Sequence, residues 1–108
     1  MISDDDLEYD ENGAVNFRDR PLVGEARLLG PVPRGRLVGA NTCSLYELSV
    51  PFHGHDRVIV AGLIKREATI VYSATPDGQL DTLIPHGGIH GAHDHLRTLE
   101  NMGYRVVL

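Results

Sequence analysis

The chain has 108 residues, of which 42% are hydrophobic and 23% are charged, a composition typical of one globular domain and not of a disordered or fibrous chain. Its one cysteine excludes an internal disulfide and any multi-cysteine metal site. No apolar run reaches the roughly 18 residues that a membrane-spanning helix needs, and no signal-like segment follows Met1. A soluble, cytoplasmic protein with no membrane contact is therefore expected.

The net charge of −5 is concentrated at the start of the chain, where six acidic residues precede the first basic residue, Arg18. The rest of the chain is close to neutral. Because binding of nucleic acid needs a basic face, the composition does not favour nucleic acid as a partner. An acidic segment favours contact with a basic protein, or it keeps the chain in solution.

The acidic segment contains the first predicted element, an N-terminal hairpin over residues 6–18 that leaves residues 1–5 outside it. Alternation of side chains along a strand fixes the register, because a slip of one residue moves every apolar side chain to the other face. A three-residue loop ending at Gly13 pairs apolar residues, whereas a two-residue loop does not. The expected pairs are Tyr9 with Val15 and Leu7 with Phe17.

Further strands follow in chain order. Residues 22–29 and 36–40 are two strand candidates, and residues 44–52 alternate as one half-buried strand does. Residues 57–64 are apolar on both sides, which predicts a central strand. The segment 67–84 predicts a hairpin about a Pro-Asp-Gly turn, which pairs Ala74 with Leu80, Tyr72 with Thr82 and Ile70 with Ile84.

The pattern changes near the C-terminus to the period of a helix. Residues 92–102 predict a short amphipathic helix with Ala92, Leu96 and Leu99 in one apolar stripe, Met102 beside it and a glycine to end it. Residues 104–108 predict a last strand. The expected fold class is α+β, a mainly antiparallel β-meander in which strand 79–84, this helix and the last strand form a parallel crossover within a single domain, residues 1–108.

One stretch, HGGIHGAHDH at residues 86–95, holds four of the six histidines and three glycines. A glycine-rich loop before a helix offers an anion free backbone N–H groups and the positive end of the helix dipole. We therefore expect an anion or small-ligand site at the loop 86–91, although no complete phosphate-loop motif is present. Its predicted residues are Gly87, Gly88, Gly91, Lys65 and Arg66.

A metal site is the alternative for the same stretch. Side chains two positions apart on a helix point about 160° away from each other, so His93 and His95 cannot bind one ion. This leaves His86, His90 and His93 as candidate ligands of zinc or a similar divalent metal. His95 is instead expected to be a hydrogen-bonded residue at the edge of the core.

Two further histidines, His53 and His55, belong to a predicted polar hairpin connection. In the expected meander they lie at the end opposite to His86, about 20 Å away at roughly 3.3 Å per residue. Cys43 is expected to be a small buried residue and not a nucleophile.

The residues contain no complete catalytic set, so no catalytic residue is assigned. The first hypothesis is a small binding or regulatory module that acts through contacts with a protein partner or with itself and needs no cofactor. The alternative is a small hydrolase, metal-dependent or histidine-based, with its site at His86, His90 and His93.

Overall fold

A computed structural model describes residues 7–9, 15–17, 21–33, 35–37, 39–63, 67–91 and 93–107. Within these ranges, eight strands lie in one sheet in the order β1-β2-β7-β6-β5-β4-β3-β8. The elements in chain order are β1 (Leu7–Tyr9), β2 (Val15–Phe17), β3 (Gly24–Pro31), β4 (Ala40–Phe52), β5 (His55–Leu63), β6 (Ala68–Ser73), β7 (Gly87–His90), α1 (His95–Met102) and β8 (Tyr104–Val107).

The strands β3 to β6 form the predicted antiparallel meander, and each pairs with the next along the chain. The strand β5 lies inside this meander, and its residues 58–62 are all buried. A strand with neighbours on both edges and cover on both faces needs apolar residues at successive positions, which explains its sequence. The α+β class is therefore confirmed, and so is the central position of this strand.

The first two strands pair as the apolar pattern predicts. Leu7 lies opposite Phe17 and Tyr9 opposite Val15. The strand β2 then pairs in parallel with β7, with Asn16 opposite Gly88. The hairpin thus extends the sheet, while residues 1–5 lie outside the described residues.

The predicted strand over residues 79–84 is wrong. Ala74 and Leu80 do form an isolated antiparallel bridge, but the strand that pairs with Ile70 is β7, through Gly88. The two strands lie so close together that a β-carbon on Gly88 would collide with the backbone of β6. A glycine has no side chain and so adds nothing to a pattern of alternating apolar side chains. For this reason the pattern indicated residues 79–84, and not β7, as the partner of β6.

The helix begins three residues later than predicted. Asp94 is its N-cap, with an extended backbone and a side-chain oxygen that accepts the Arg97 N–H at 3.0 Å. Gly103 ends the helix in the left-handed conformation, with φ of 106°. Ala92, the predicted first helical residue, lies outside the described part of the chain.

The helix packs on one face of the sheet, which we call the helix face. Its core contains Leu99 and Met102 of α1 together with Ala26, Tyr46, Leu48, Val58, Val60, Val71 and Tyr104. The opposite face, which we call the second face, has its own apolar cluster of Leu37, Ala40, Cys43, Ile59, Ala61, Ala68, Ile70, Tyr72 and Ala74. Cys43 is buried there, as predicted.

The helix also forms the predicted crossover, with a different first strand. It joins β7 to β8, and β8 pairs in parallel with β3 at the far edge of the meander. The four strand pairings from β7 to β3 are all antiparallel, so β7 and β3 run in the same direction. Because β8 is parallel to β3, β8 also runs in the same direction as β7. In the part of the chain that the structure describes, no helix is long and apolar enough to cross a membrane.

Candidate functional site

The strands β4 and β5 meet in a tight turn, with Phe52 opposite His55. Its two loop residues, His53 and Gly54, have positive φ angles of 51° and 82°. A two-residue hairpin loop of this kind matches the twist of the flanking strands. Glycine adopts such an angle freely, whereas a histidine there is uncommon. The turn therefore holds one histidine on each side of Gly54.

Three histidine rings meet at this turn. The rings of His53 and His86 stack, with 5.4 Å between their centroids and 11° between their planes, and the ring of His55 lies 5.7 Å from that of His86. Phe52 contacts His53 and His86 edge-on, at centroid distances of 4.4 and 5.3 Å. We call Phe52, His53, His55 and His86 the histidine cluster.

This cluster contradicts the prediction that His53 and His55 lie far from His86. The error arose because the prediction placed a strand at residues 79–84, and such a strand would carry the chain to the opposite end of the sheet. After β6 the chain stays at the hairpin end of the sheet, and the His86 N–H donates to the Val71 carbonyl at 2.8 Å just before β7 begins. His86 therefore lies at the start of β7, beside the turn.

The predicted metal ligands His86, His90 and His93 are not brought together. His86 lies beside His55 at the start of β5, whereas a β-carbon on Gly62 of the same strand would lie 3.5 Å from Cγ of His93. Seven residues of β5 separate these points, about 23 Å at roughly 3.3 Å per residue. Among the described residues, no group of three His, Cys, Asp or Glu side chains could hold a metal ion.

The described members of the predicted anion site pair with the protein's own groups. Gly87 and Gly88 are buried within β7, between β6 and β2. Gly91 is exposed, but its N–H donates to the Glu67 carbonyl at 2.7 Å. The Asp94 carboxylate already occupies the position at the helix start that an anion would take. Lys65 and Arg66 lie outside the described residues.

His95 is a packed residue at the core edge, as predicted. Its Nε2 lies 3.0 Å from Oγ1 of Thr42, and its ring meets that of Tyr46 edge-on at 6.3 Å. Burial lowers the pKa of His95, and the nearby Asp94 carboxylate opposes that effect. These contacts fix the first turn of α1 to β4.

His86 is a half-buried member of the histidine cluster. Its Nε2 is buried and has no hydrogen-bond partner among the residues that the structure describes. Burial lowers the pKa of His86, and positive charge on His53 or His55 lowers it further. The Asp81 carboxylate lies 3.9 Å from Nε2 of His55. His86 is therefore neutral at pH 7 and presents an uncharged aromatic ring.

We expect the protein to lose stability between pH 7 and pH 5 through His86 and His95. Both residues have a lowered pKa when folded, so the unfolded chain binds more protons as the pH falls below about 6.5. Their contribution is complete above that pH and is lost as the pH falls through the folded values. Thermal unfolding at pH 7 and pH 5 measures the fall in Tm.

The variants His86→Gln and His95→Gln each remove one of these titrations, so each should show a smaller fall in Tm than the wild type. His86 lies beside His55 at the start of β5, whereas His95 contacts Thr42, which is paired with Gly62 near the other end of β5. Because the two sites are far apart, the two effects should add in the double variant. An unchanged fall in both single variants would contradict the assignment.

The fold and the site together define an α+β protein with a cluster of three histidine rings and one phenylalanine at the tip of its central hairpin. Comparison of the chain with protein-family models, with curated proteins and with solved structures gives no match. The sequence offered one signal for this site, a tight turn with a histidine on each side of a glycine. The sequence did not indicate that His86 and Phe52 join it.

Proposed function

We propose that the chain is a small binding module that contacts another protein through the hairpin end of its sheet. The observation behind this proposal is the exposure of two adjacent apolar side chains, Leu83 at 50% and Ile84 at 75%. They directly precede Pro85 and His86, and so they adjoin the histidine cluster. We call the cluster together with Leu83 and Ile84 the hairpin surface.

The chemistry of this surface suits a protein partner. Single exposed apolar side chains are ordinary, but adjacent ones beside aromatic rings are typical of protein contact sites. Phe52 is half-buried, which leaves part of its ring available for contact. The matching partner surface is apolar or aromatic.

The segment that presents Leu83 and Ile84 is tied to the sheet at both ends. The Asp81 N–H donates to the Ser73 carbonyl at 3.0 Å, and the His86 N–H donates to the Val71 carbonyl at 2.8 Å. Only four residues lie between these two anchors. A short segment anchored in this way loses little conformational entropy when it binds, which favours affinity.

Site-specific crosslinking tests this proposal. A photoreactive benzoylphenylalanine replaces Ile84 in one protein and Leu96 in a matched control, because Leu96 is also exposed, at 46%, but lies on α1. We expect adducts from position 84 and none from position 96. An adduct of twice the chain mass from the purified protein identifies a second copy as the partner, whereas an adduct formed only in an extract of the source cells identifies a different protein.

Competition shows whether the adduct depends on the hairpin surface. Excess untagged wild-type protein should abolish the adduct. The double variant Leu83→Ser with Ile84→Ser should compete at least about tenfold more weakly, since each buried side chain of this size contributes about 1.5–3 kcal/mol. Equal competition by the double variant, equal adducts from both positions, or no adduct from either position would contradict the proposal.

A further inference from the structure

The second face of the sheet contains a cavity that the hairpin surface does not include. Its volume is about 370 Å³, which lies at the small end of the roughly 300–1,000 Å³ common for small-molecule sites. The apolar side chains of its lining are Val32, Pro33, Leu37, Ile59 and Leu80, and Arg36 and Gln79 provide polar side chains. Leu37 and Ile59 are buried members of the second-face cluster, and Val32 and Leu80 are half-buried and pack against it.

The cavity is formed by two anchored loops over one strand. Residues 32, 33 and 35–37, between β3 and β4, form one wall, and the Val32 N–H at its start donates to the Cys43 carbonyl at 3.0 Å. The turn after β6 is the other wall, and across it the Thr75 N–H donates to the Gln79 carbonyl at 2.8 Å. Ile59 of β5 lies between them. The cavity is therefore formed before any ligand binds.

Among the described residues that line the cavity, Arg36 is the one with a cationic side chain. Its Nη2 lies 3.5 Å from the carbonyl oxygen of Leu80, so the guanidinium reaches from one wall to the other. This distance is long for a hydrogen bond, and a carboxylate would make a shorter and stronger one. In the described ranges no carboxylate pairs with Arg36, and no acidic side chain lines the cavity.

The position of the Arg36 charge differs from what the acidic composition of the chain would suggest. With 15 acidic and 10 basic residues, the chain has more carboxylates than cations, yet in the described part of the chain this guanidinium lines a largely apolar cavity without a carboxylate partner. A planar guanidinium matches the two oxygens of a carboxylate, and the apolar lining excludes water from the remainder of a ligand.

We propose that this cavity binds a small organic monocarboxylate with an apolar body. The carboxylate pairs with Arg36, and the body lies against Leu37, Ile59 and Leu80. An aliphatic chain and an aryl group are both compatible with this chemistry, and so octanoate and 4-phenylbutanoate serve as separate probes. None of the residues of the hairpin surface lines this cavity. Ligand binding in the cavity and protein binding at the hairpin surface can therefore be tested independently.

The test is a titration of the ¹⁵N-labelled protein by NMR at pH 7. We expect octanoate, 4-phenylbutanoate or both to shift the amide signals of residues 32, 35–37 and 78–80 in a saturable way. Acetate, which has the charge without the body, should cause no saturable shift there. Octanamide, which has the body without the charge, should bind at least about tenfold more weakly than octanoate.

Two arginine variants complete the test. Arg36→Gln should weaken binding of the active probe about tenfold, whereas Arg97→Gln, a matched exposed arginine on α1, should leave it unchanged. Equal affinity for octanoate and octanamide, unchanged affinity in Arg36→Gln, shifts confined to the hairpin surface, or no saturable shift with either probe at millimolar concentration would each overturn the proposal.

Discussion

Replacing Leu99 by alanine should lower the free energy of unfolding by about 2–5 kcal/mol. Leu99 is 0% exposed and lies between α1 and the sheet, in the core of the helix face. Truncation removes apolar atoms from the core and leaves a cavity. The capped start of α1 and its Gly103 terminus hold the helix in place, so the cavity closes only in part. Urea unfolding followed by circular dichroism measures the change.

The same helix supplies a matched control, because Leu96→Ala makes the same chemical change at a side chain that is 46% exposed. We expect its free energy of unfolding to stay within about 0.5 kcal/mol of the wild type. Alanine is also a slightly better helix former than leucine, which offsets part of any lost contact. Similar losses in the two variants would contradict the orientation of α1.

This orientation could be predicted only in part from the sequence. The expected stripe ran through Ala92, Leu96 and Leu99, whereas Thr98 is buried with Leu99, and Leu96 faces solvent. Thr98 can be buried because its hydroxyl donates to the Asp94 carbonyl at 2.7 Å. Hydrophobicity alone predicts that a leucine is more buried than a threonine. It does not indicate that the threonine hydroxyl has a hydrogen-bond partner in the folded chain.

The meander and the N-terminal hairpin were predictable because neighbouring strands leave a local signal. Side chains that alternate between two faces give both the strands and their register, as the pairing of Leu7 with Phe17 shows. The histidine cluster has no such local signal. It depends on the path of the chain from Ala74 to His86, which returns to the hairpin end without forming a strand.

The other large effect is expected at Gly88, where alanine should lower the free energy of unfolding by about 3 kcal/mol. A β-carbon at this position would collide with the carbonyl oxygen of Thr69 and would lie 2.9 Å from Cα of Ile70. Both are backbone atoms of β6, which pairs with β5 on its other edge and so cannot move aside. Urea unfolding of Gly88→Ala beside the wild type measures the loss.

Gly62→Ala is the matched control, because Gly62 is also a buried glycine within the sheet without a positive φ. Its new β-carbon would meet Oγ1 of Thr42 at 2.8 Å. A side-chain hydroxyl can rotate away where a backbone carbonyl cannot, so we expect a loss of only about 1 kcal/mol, mostly from the contact between Thr42 and His95.

The two variants also decide why glycine occupies position 88. If this glycine served a ligand, as the sequence suggested, alanine would weaken ligand binding and leave the free energy of unfolding unchanged. If it serves the close approach of β7 to β6, alanine destabilises the protein without any ligand, and amide hydrogen exchange in β6 and β7 becomes faster. Because His86 directly precedes β7, the close approach of β7 to β6 also positions the His86 ring against the ring of His53. Gly88→Ala should therefore alter the ring signals of both histidines, whereas Gly62→Ala should leave them as in the wild type.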